Sequence, residues 1–535
     1  MAAQALPGSP AASIAQALAL QRHGQLEEAA DICTAIQTAN PNRTDALHLL
    51  GLIRHQQGRN LEALQLVEAV LKRAPRSADI LNDHGLILAA LAKHQDALAC
   101  FDAALALRPD HVYALKNRAA SLKRLGRPAE ALAAYEAVLA SRPDDLDSLN
   151  ECGGLQARLG HPAAAVACYD RALAVAPHVA ELHINKGTAL VALRRFDDAL
   201  NSFAAALAVD PERAEAHYNA ALVHLRRGDF KTGWRQYEWR RRKPEAAASQ
   251  RDFGAPLWLG EEPIAGKTIF LVGEQGYGDT IQTVRYAPLV AARGATVILG
   301  VQAPLKRLAA TISGVTLVLG EGEPVPQVDF YCPLFSLPLA FGTELDTVPA
   351  NIPYVRPEPQ RLAHWRARLP SGGRLRVGIC WAGSPLQLND HNRSIPLQRF
   401  AEELLTVSNL DFVSVQKQVS AAEAALLKHY GVMHLGCEFT DFADTAAALA
   451  LLGLLICVDT SVAHLAGALG KAVALLLPYS PDFRWLLDRA DSPWYPTMRL
   501  FRQTAIGAWD GPLGRLRQEL TAVAQRRPQP RAANA

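Results

Sequence analysis

PDHVYALKNRAASLKRLGRPAEALAAYEAVLASR, residues 109–142, decides the fold of the first half of this 535-residue chain, because its pattern returns along the sequence. Prolines stand at 41, 75, 109, 143, 177 and 211, each 34 positions after the last. Ala29, Ala63, Ala97, Ala131, Ala165 and Ala199 keep one register, and Cys33, Val67, Phe101, Tyr135, Tyr169, Phe203 and Tyr237 keep another. A third, Gly24, Gly58, Ala92, Gly126, Gly160, Arg194 and Gly228, mostly supplies a small turn residue. The unit reads as a helical hairpin. Its alanine lets two helices approach, its aromatic packs into the next unit, and its proline ends the second helix, which it cannot continue. Such hairpins must stack to bury their apolar faces.

This pattern resembles the tetratricopeptide repeat, with about seven copies over residues 10–243. The resemblance implies an all-α solenoid with a groove lined by the first helix of each pair. Two positions before the small Gly or Ala of that helix stand Leu49, Asp83, Asn117, Glu151, Asn185 and Asn219. Asparagine both donates and accepts, so Asn117, Asn185 and Asn219 can hold an extended polypeptide by its backbone; the alternative is plain solvated helix positions. Asp45, Asp79, Asp147, Glu181 and Glu215 fall in first helical turns, where negative charge complements the macrodipole. The array ends in Arg226, Arg227, Lys231, Arg235 and Arg240-Arg241-Arg242-Lys243, interleaved with Trp234, Tyr237 and Trp239. This last helix is expected to cap the array and pack its aromatics onto the next domain, with phosphate or nucleic-acid binding as the other reading.

Composition narrows the class. Half of the residues are apolar and a fifth charged, so the chain can bury ample core. Lys and Arg total 55 against 52 Asp and Glu, which argues against wholesale binding of nucleic acid. Eight cysteines lie scattered without a C-x-x-C pair, as expected of small buried hydrophobes in a reducing compartment rather than of zinc ligands or a disulfide framework. No Lys or Arg precedes Arg22, so the charged start of a secretory signal is missing. The longest apolar run, Ala446 to Val458, is shorter than the roughly 20 residues of a membrane helix. The expectation is a soluble, cytoplasmic protein with no membrane span.

From Lys267 the texture changes. TIFLV (268–272), TVILGV (296–301), VTLVLG (315–320) and VDFYCP (328–333) alternate with helical patterns. After the Pro-rich PANIPYVRPEP (349–359) come LRVGICWAG (375–383), DFVSVQ (411–416), LLICVD (454–459) and AVALLLP (472–478). Strands alternating with helices predict two doubly wound parallel lobes, 267–355 and 374–525, after a linker over 244–266. A Pro-rich tail, 526–535, is expected to be disordered. Ligands of such sheets sit at the carboxyl ends of the strands.

Three loops there draw notice. GEQGYGDTIQ (273–282) carries Gly276 and Gly278, which permit close backbone approach, and then Asp279 at a helix start. It is neither a dinucleotide fingerprint nor a Walker loop. Asp279 can be a helix cap, or a general base taking a proton from an acceptor hydroxyl. WAGSPLQLNDHNRSIPL (381–397) holds Arg393, whose guanidinium suits a phosphate, though a surface arginine is the alternative. CVDTSVAHLAGALGKAV (457–473) places Asp459, Thr460 and Ser461 at a helix start with free N–H groups, and His464 one turn in. Asp459 can equally be only a cap and His464 a core residue.

The segments GEQGYGDTIQTVRYAPLV, WAGSP…NRSIPL and DTSVAHLAGALGKAVALLLP resemble glycosyltransferase family 9, the bacterial heptosyltransferase group; with the repeats in front, the chain is similar to bacterial tetratricopeptide-repeat glycosyltransferases and distantly to the O-linked N-acetylglucosamine transferases. The resemblance implies a multidomain chain ending in a two-lobed α/β GT-B fold, with acceptor on the first lobe and nucleotide sugar on the second. It places the catalytic base on Asp279 and donor contacts on Ser384, Arg393, Gln416, Lys417, Asp459, Thr460, Ser461 and His464. Arg393 stands where many members have Lys, and Ser461 where heptosyltransferases commonly have Gly. The first lobe is short for the family, so the repeats are expected to pack against it. The implied reaction is inverting, metal-independent transfer from a nucleotide-diphosphate sugar, a co-substrate rather than a cofactor, since no D-x-D follows residue 250. A protein held by the repeats is the favoured acceptor. A lipopolysaccharide or other glycan precursor is the alternative, and a non-catalytic interaction scaffold with a degenerate second half is the non-enzymatic one.

Overall fold

A computed structural model describes residues 10–244, 251–369, 373–384 and 390–526. Residues 527–535 of the tail expected over 526–535, residues 245–250 of the linker and 385–389 of the second loop lie outside the described residues, while Arg526 ends a helix. The opening motif folds as the helices Val112–Arg124 and Pro128–Ser141. Every alanine of the first register, Ala29 to Ala199, is fully buried. The turn register is left-handed throughout, with φ from +59° at Arg194 to +86° at Gly228. Glycine adopts that region freely, which is why it dominates the position; Ala92 and Arg194 adopt it against the clash of their Cβ. A Cβ on Gly85 would stand 2.5 Å from the ring of Phe101, and one on Gly153 equally close to Tyr169. The small residue of one helix and the aromatic 16 positions later are therefore a single packing device.

The chain divides into compact units after Leu190, within the stretch that the sequence reads as repeats up to 243. The reason lies in the aromatics of Phe230–Tyr237, which join the core of the α/β region. Trp234 meets Phe483 and Trp494 at 5.8 and 6.4 Å between ring centroids, and Tyr237 meets Phe335 at 5.5 Å. The expected packing of this helix onto the next domain is present, and it draws the last helices into the second unit. The segment read as a linker is likewise anchored: Trp258 is fully buried and its backbone N–H donates to Tyr331 O at 2.8 Å.

Two parallel sheets follow. The first has the order β3-β2-β1-β4, built from β1 Thr268–Val272, β2 Thr296–Val301, β3 Val315–Gly320 and β4 Phe330–Pro333. The second runs β10-β9-β8-β5-β6-β7, from β5 Leu375–Cys380, β6 Leu410–Ser414, β7 Met433–His434, β8 Leu454–Val458, β9 Val473–Leu477 and β10 Met498–Arg502. The eight strands read from apolar runs are all present. β7 and β10 escaped because one is two residues long and the other, MRLFR, has its apolar residues interrupted and ended by arginines. Among the described residues no helix is long and apolar enough to cross a membrane. All eight cysteines are free; five are buried and Cys437 is exposed, against the expectation of general burial.

Candidate functional site

The Gly-rich loop leaves β1 and enters the helix Tyr277–Thr283; the D-T-S loop leaves β8 and enters the helix Ser461–Ala468. The two helices pack on each other. A Cβ added to Gly278 would stand 2.9 Å from Cδ2 of His464 and 3.3 Å from Cα of Ser461, so only glycine lets these backbones approach. The first and third loops thus meet although almost two hundred positions separate them.

Asp279 is the third residue of its helix, and one carboxylate oxygen accepts from the N–H of Gly276 at 2.8 Å. The cap reading therefore describes part of its role. The other oxygen accepts from Nη2 of Arg484, a buried residue in the short turn Phe483–Trp485 after β9. Arg484 also donates from Nη1 to Asp482 at 2.7 Å and from Nε to Gln282, and its guanidinium lies 4.7 Å from the ring centroid of Phe483. Burial opposes its charge, but Asp482 and Asp279 outweigh this and hold it firmly protonated. Burial pushes the Asp279 carboxyl above its ordinary range; Arg484 pulls it back and Asp482 pushes it further.

Asp459 lies beside this pair. Burial, with Asp482 adding, raises its carboxyl to about 6. His464 Nδ1 is 3.0 Å from the Tyr495 hydroxyl, and Nε2 is 3.9 Å from Asp459. Its ring stacks on Trp485 at 5.2 Å. Burial holds its pKa well below the usual value, with the charges of Arg484 and Arg285 adding, so the imidazole is neutral. Arg285 Nη1 donates to Trp494 O at 2.6 Å and to Pro349 O at 3.1 Å, and Nη2 donates to the Tyr354 hydroxyl. The Thr460 hydroxyl is buried and lies against the Cys380 thiol.

Other expected donor residues are committed to neighbours. Arg393 donates from Nη1 to the Asp459 carbonyl at 2.8 Å and from Nε to Asp390 at 3.0 Å, which fixes the D-T-S loop. The Gln416 amide donates to Ala382 O at 3.1 Å and accepts from Ala382 N and the Cys380 thiol at 3.2 Å, a brace between the ends of β5 and β6. Lys417 is exposed and donates to the Phe439 carbonyl, and Ser384 is exposed at the start of its loop. In the repeats, Asn117 donates to Asn82 at 2.9 Å and Asn185 to Asn150 at 3.1 Å, so the ladder is cross-linked from one repeat to the next. Asn219 is half-buried on the helix Ala214–Arg227.

Arg484, Arg285, Tyr495 and Trp485 were not singled out from sequence. The rule that loops after parallel strands carry ligands points to YSPDFRW after β9, and that segment holds Arg484.

Residues 14–78, 82–146 and 184–232 match the tetratricopeptide-repeat family model. The protein FlbA of Caulobacter vibrioides is 26% identical over 325 residues, covering 55% of this chain and 53% of that protein. The chain thus spans about half the length of this curated relative. Among solved structures, MamA from Desulfovibrio magneticus is 22% identical, with TM-score 0.31, covering 32% of this chain and 97% of its own. PilF of Pseudomonas aeruginosa is 18% identical, with TM-score 0.35, covering 39% and 94%. The N-terminal region is therefore a tetratricopeptide-repeat array, followed along the chain by an α/β region with two parallel sheets.

Proposed function

We propose that the chain is a GT-B-type glycosyltransferase, moving a sugar from a nucleotide-diphosphate donor to a hydroxyl on a polypeptide recruited by its repeats. The observation that carries this reading is the contact of Gly278 with His464 and Ser461, which brings the loop of Asp279 against a helix start with free N–H groups. In the proposed reaction the acceptor oxygen attacks the anomeric carbon while its proton passes to Asp279. The bond to the diphosphate breaks, and its electron pair leaves with the phosphate. Arg484, the Thr460 hydroxyl and the N–H groups at Ser461 would meet that charge. Arg393 acts one step back, by holding the Asp459 carbonyl.

The test is calorimetric binding and donor hydrolysis by the full chain with UDP, GDP, ADP and CMP sugars. At least one should bind and be hydrolysed. Asp279→Asn should keep the binding and lose about 10²–10⁴-fold in rate, as expected for a positioned general base. A second reading, an interaction scaffold with an inactive second half, is favoured by one observation: both oxygens of Asp279 are engaged, by Gly276 and Arg484. Binding of no donor would select it.

A further inference from the structure

A cavity of about 590 Å³ opens at the carboxyl ends of the first sheet. Its floor comes from Gly273 to Gln275 after β1, Gln302 after β2 and Glu321 after β3. Its wall comes from the segment after the last repeat hairpin: Arg240, Arg241, Lys243, Arg251 and Phe253. Phe253 packs on Phe270 and Tyr331 at 5.0 and 5.2 Å, so the basic wall stands on an aromatic base.

Among the described residues the charges of the lining do not cancel. Of three carboxylates in the lining, Glu274 is held by Arg240 at 2.7 Å and Glu323 by Lys306 at 2.5 Å. Glu321 is left against three cations. Arg241 donates to the Tyr331 hydroxyl at 3.0 Å and, among the described residues, has only Glu238, at 4.0 Å, as counter-charge. Lys243 lies 5.1 Å over the Tyr218 ring, and Arg251 is exposed. Three cations around an aromatic base suit carboxylates on a flexible ligand.

Two placements bear on the kind of ligand. Tyr218 lines the cavity and belongs to the helix Ala214–Arg227, the first helix of the last repeat, so the cavity opens beside that repeat. Gln275 lines it too and precedes the helix of Asp279. We propose that this cavity binds an acidic peptide segment, Asp or Glu side chains against Arg241, Lys243 and Arg251, and that it sets which hydroxyl of a polypeptide lies beside the Gly-rich loop. Binding stands by itself; the link to a hydroxyl rests on the transfer reading.

The experiment is fluorescence anisotropy of the full chain with two labelled peptides, one alternating Glu and Ser, the other alternating Lys and Ser. The Glu peptide should bind, more weakly at high salt, and the Lys peptide should not. The double variant Lys243→Gln/Arg251→Gln, at partly exposed and exposed positions, should lose about tenfold or more in affinity, while Lys243→Arg/Arg251→Lys should retain binding. Equal binding of both peptides, an unchanged Kd in the Gln variant, or tighter binding of glucose 6-phosphate than of the Glu peptide would overturn the proposal. Glu-peptide binding without donor hydrolysis would remove the transfer reading alone. Donor hydrolysis without charge-dependent peptide binding would remove this inference alone.

Discussion

The guanidinium of Arg484 is tied to the carboxylate of Asp279 across 205 positions of sequence, and the same guanidinium is fixed by Asp482. In the proposed transfer, a base so held is paired with the cation that an incoming diphosphate would attract. Two consequences are measurable. The rate should rise with pH through a carboxyl above the ordinary range, because the deprotonated form is the active one and burial raises the pKa. In Arg484→Gln the counter-charge is gone, so this acid limb should move to higher pH and donor affinity should fall. A limb that stays in place would remove Arg484 from the base's environment.

Asp459 gives a stability prediction of opposite kind to the usual paired carboxylate. Its folded pKa is raised from 3.8 to about 6, so its contribution is fully present below 3.8 and is lost as pH rises to about 6. Removing the charge should help at neutral pH. Asp459→Asn is expected to raise stability at pH 7 by on the order of 2–3 kcal/mol and to leave it unchanged near pH 4, in denaturant titrations at both values.

The left-handed turn register predicts a pair of effects. Ala92→Gly relieves a Cβ held at φ +60° and should stabilise by about 0.5–1 kcal/mol. Gly126→Ala, at φ +72°, should cost about 1–2 kcal/mol. Chemical denaturation of the two variants reads both signs.

Trp234 is 2% exposed among Phe230, Tyr237, Phe483 and Trp494, and its indole N–H has no partner among the described residues. Trp234→Ala should cost about 3–5 kcal/mol and Trp234→Phe much less, since the packing and not a hydrogen bond is lost. Thermal unfolding of the two variants distinguishes these contributions.

The repeats were legible in the sequence because each of their constraints is local: a left-handed turn, a close approach and a helix stop recur at fixed spacing. The strands were legible as apolar runs wherever both faces are covered, as in β8 and β9. The pairing of Arg484 with Asp279 was not, because it depends on two loops brought together by a tertiary fold. Nor was the commitment of Gln416, whose partners Ala382 and Cys380 are neighbours only through the register of β5 and β6. The division into compact units was not legible for a related reason. Periodicity reports where a hairpin ends, while the burial of Trp234 and Tyr237 decides which body it belongs to.

That boundary governs how the chain can be cut. Scissors placed by counting repeats, near residue 240, would strip Phe230, Trp234 and Tyr237 from beneath Phe335, Phe483 and Trp494 and leave the truncated remainder with a raw apolar wound. Loss of turnover in such a fragment would report that injury and say nothing of whether the repeats deliver a substrate.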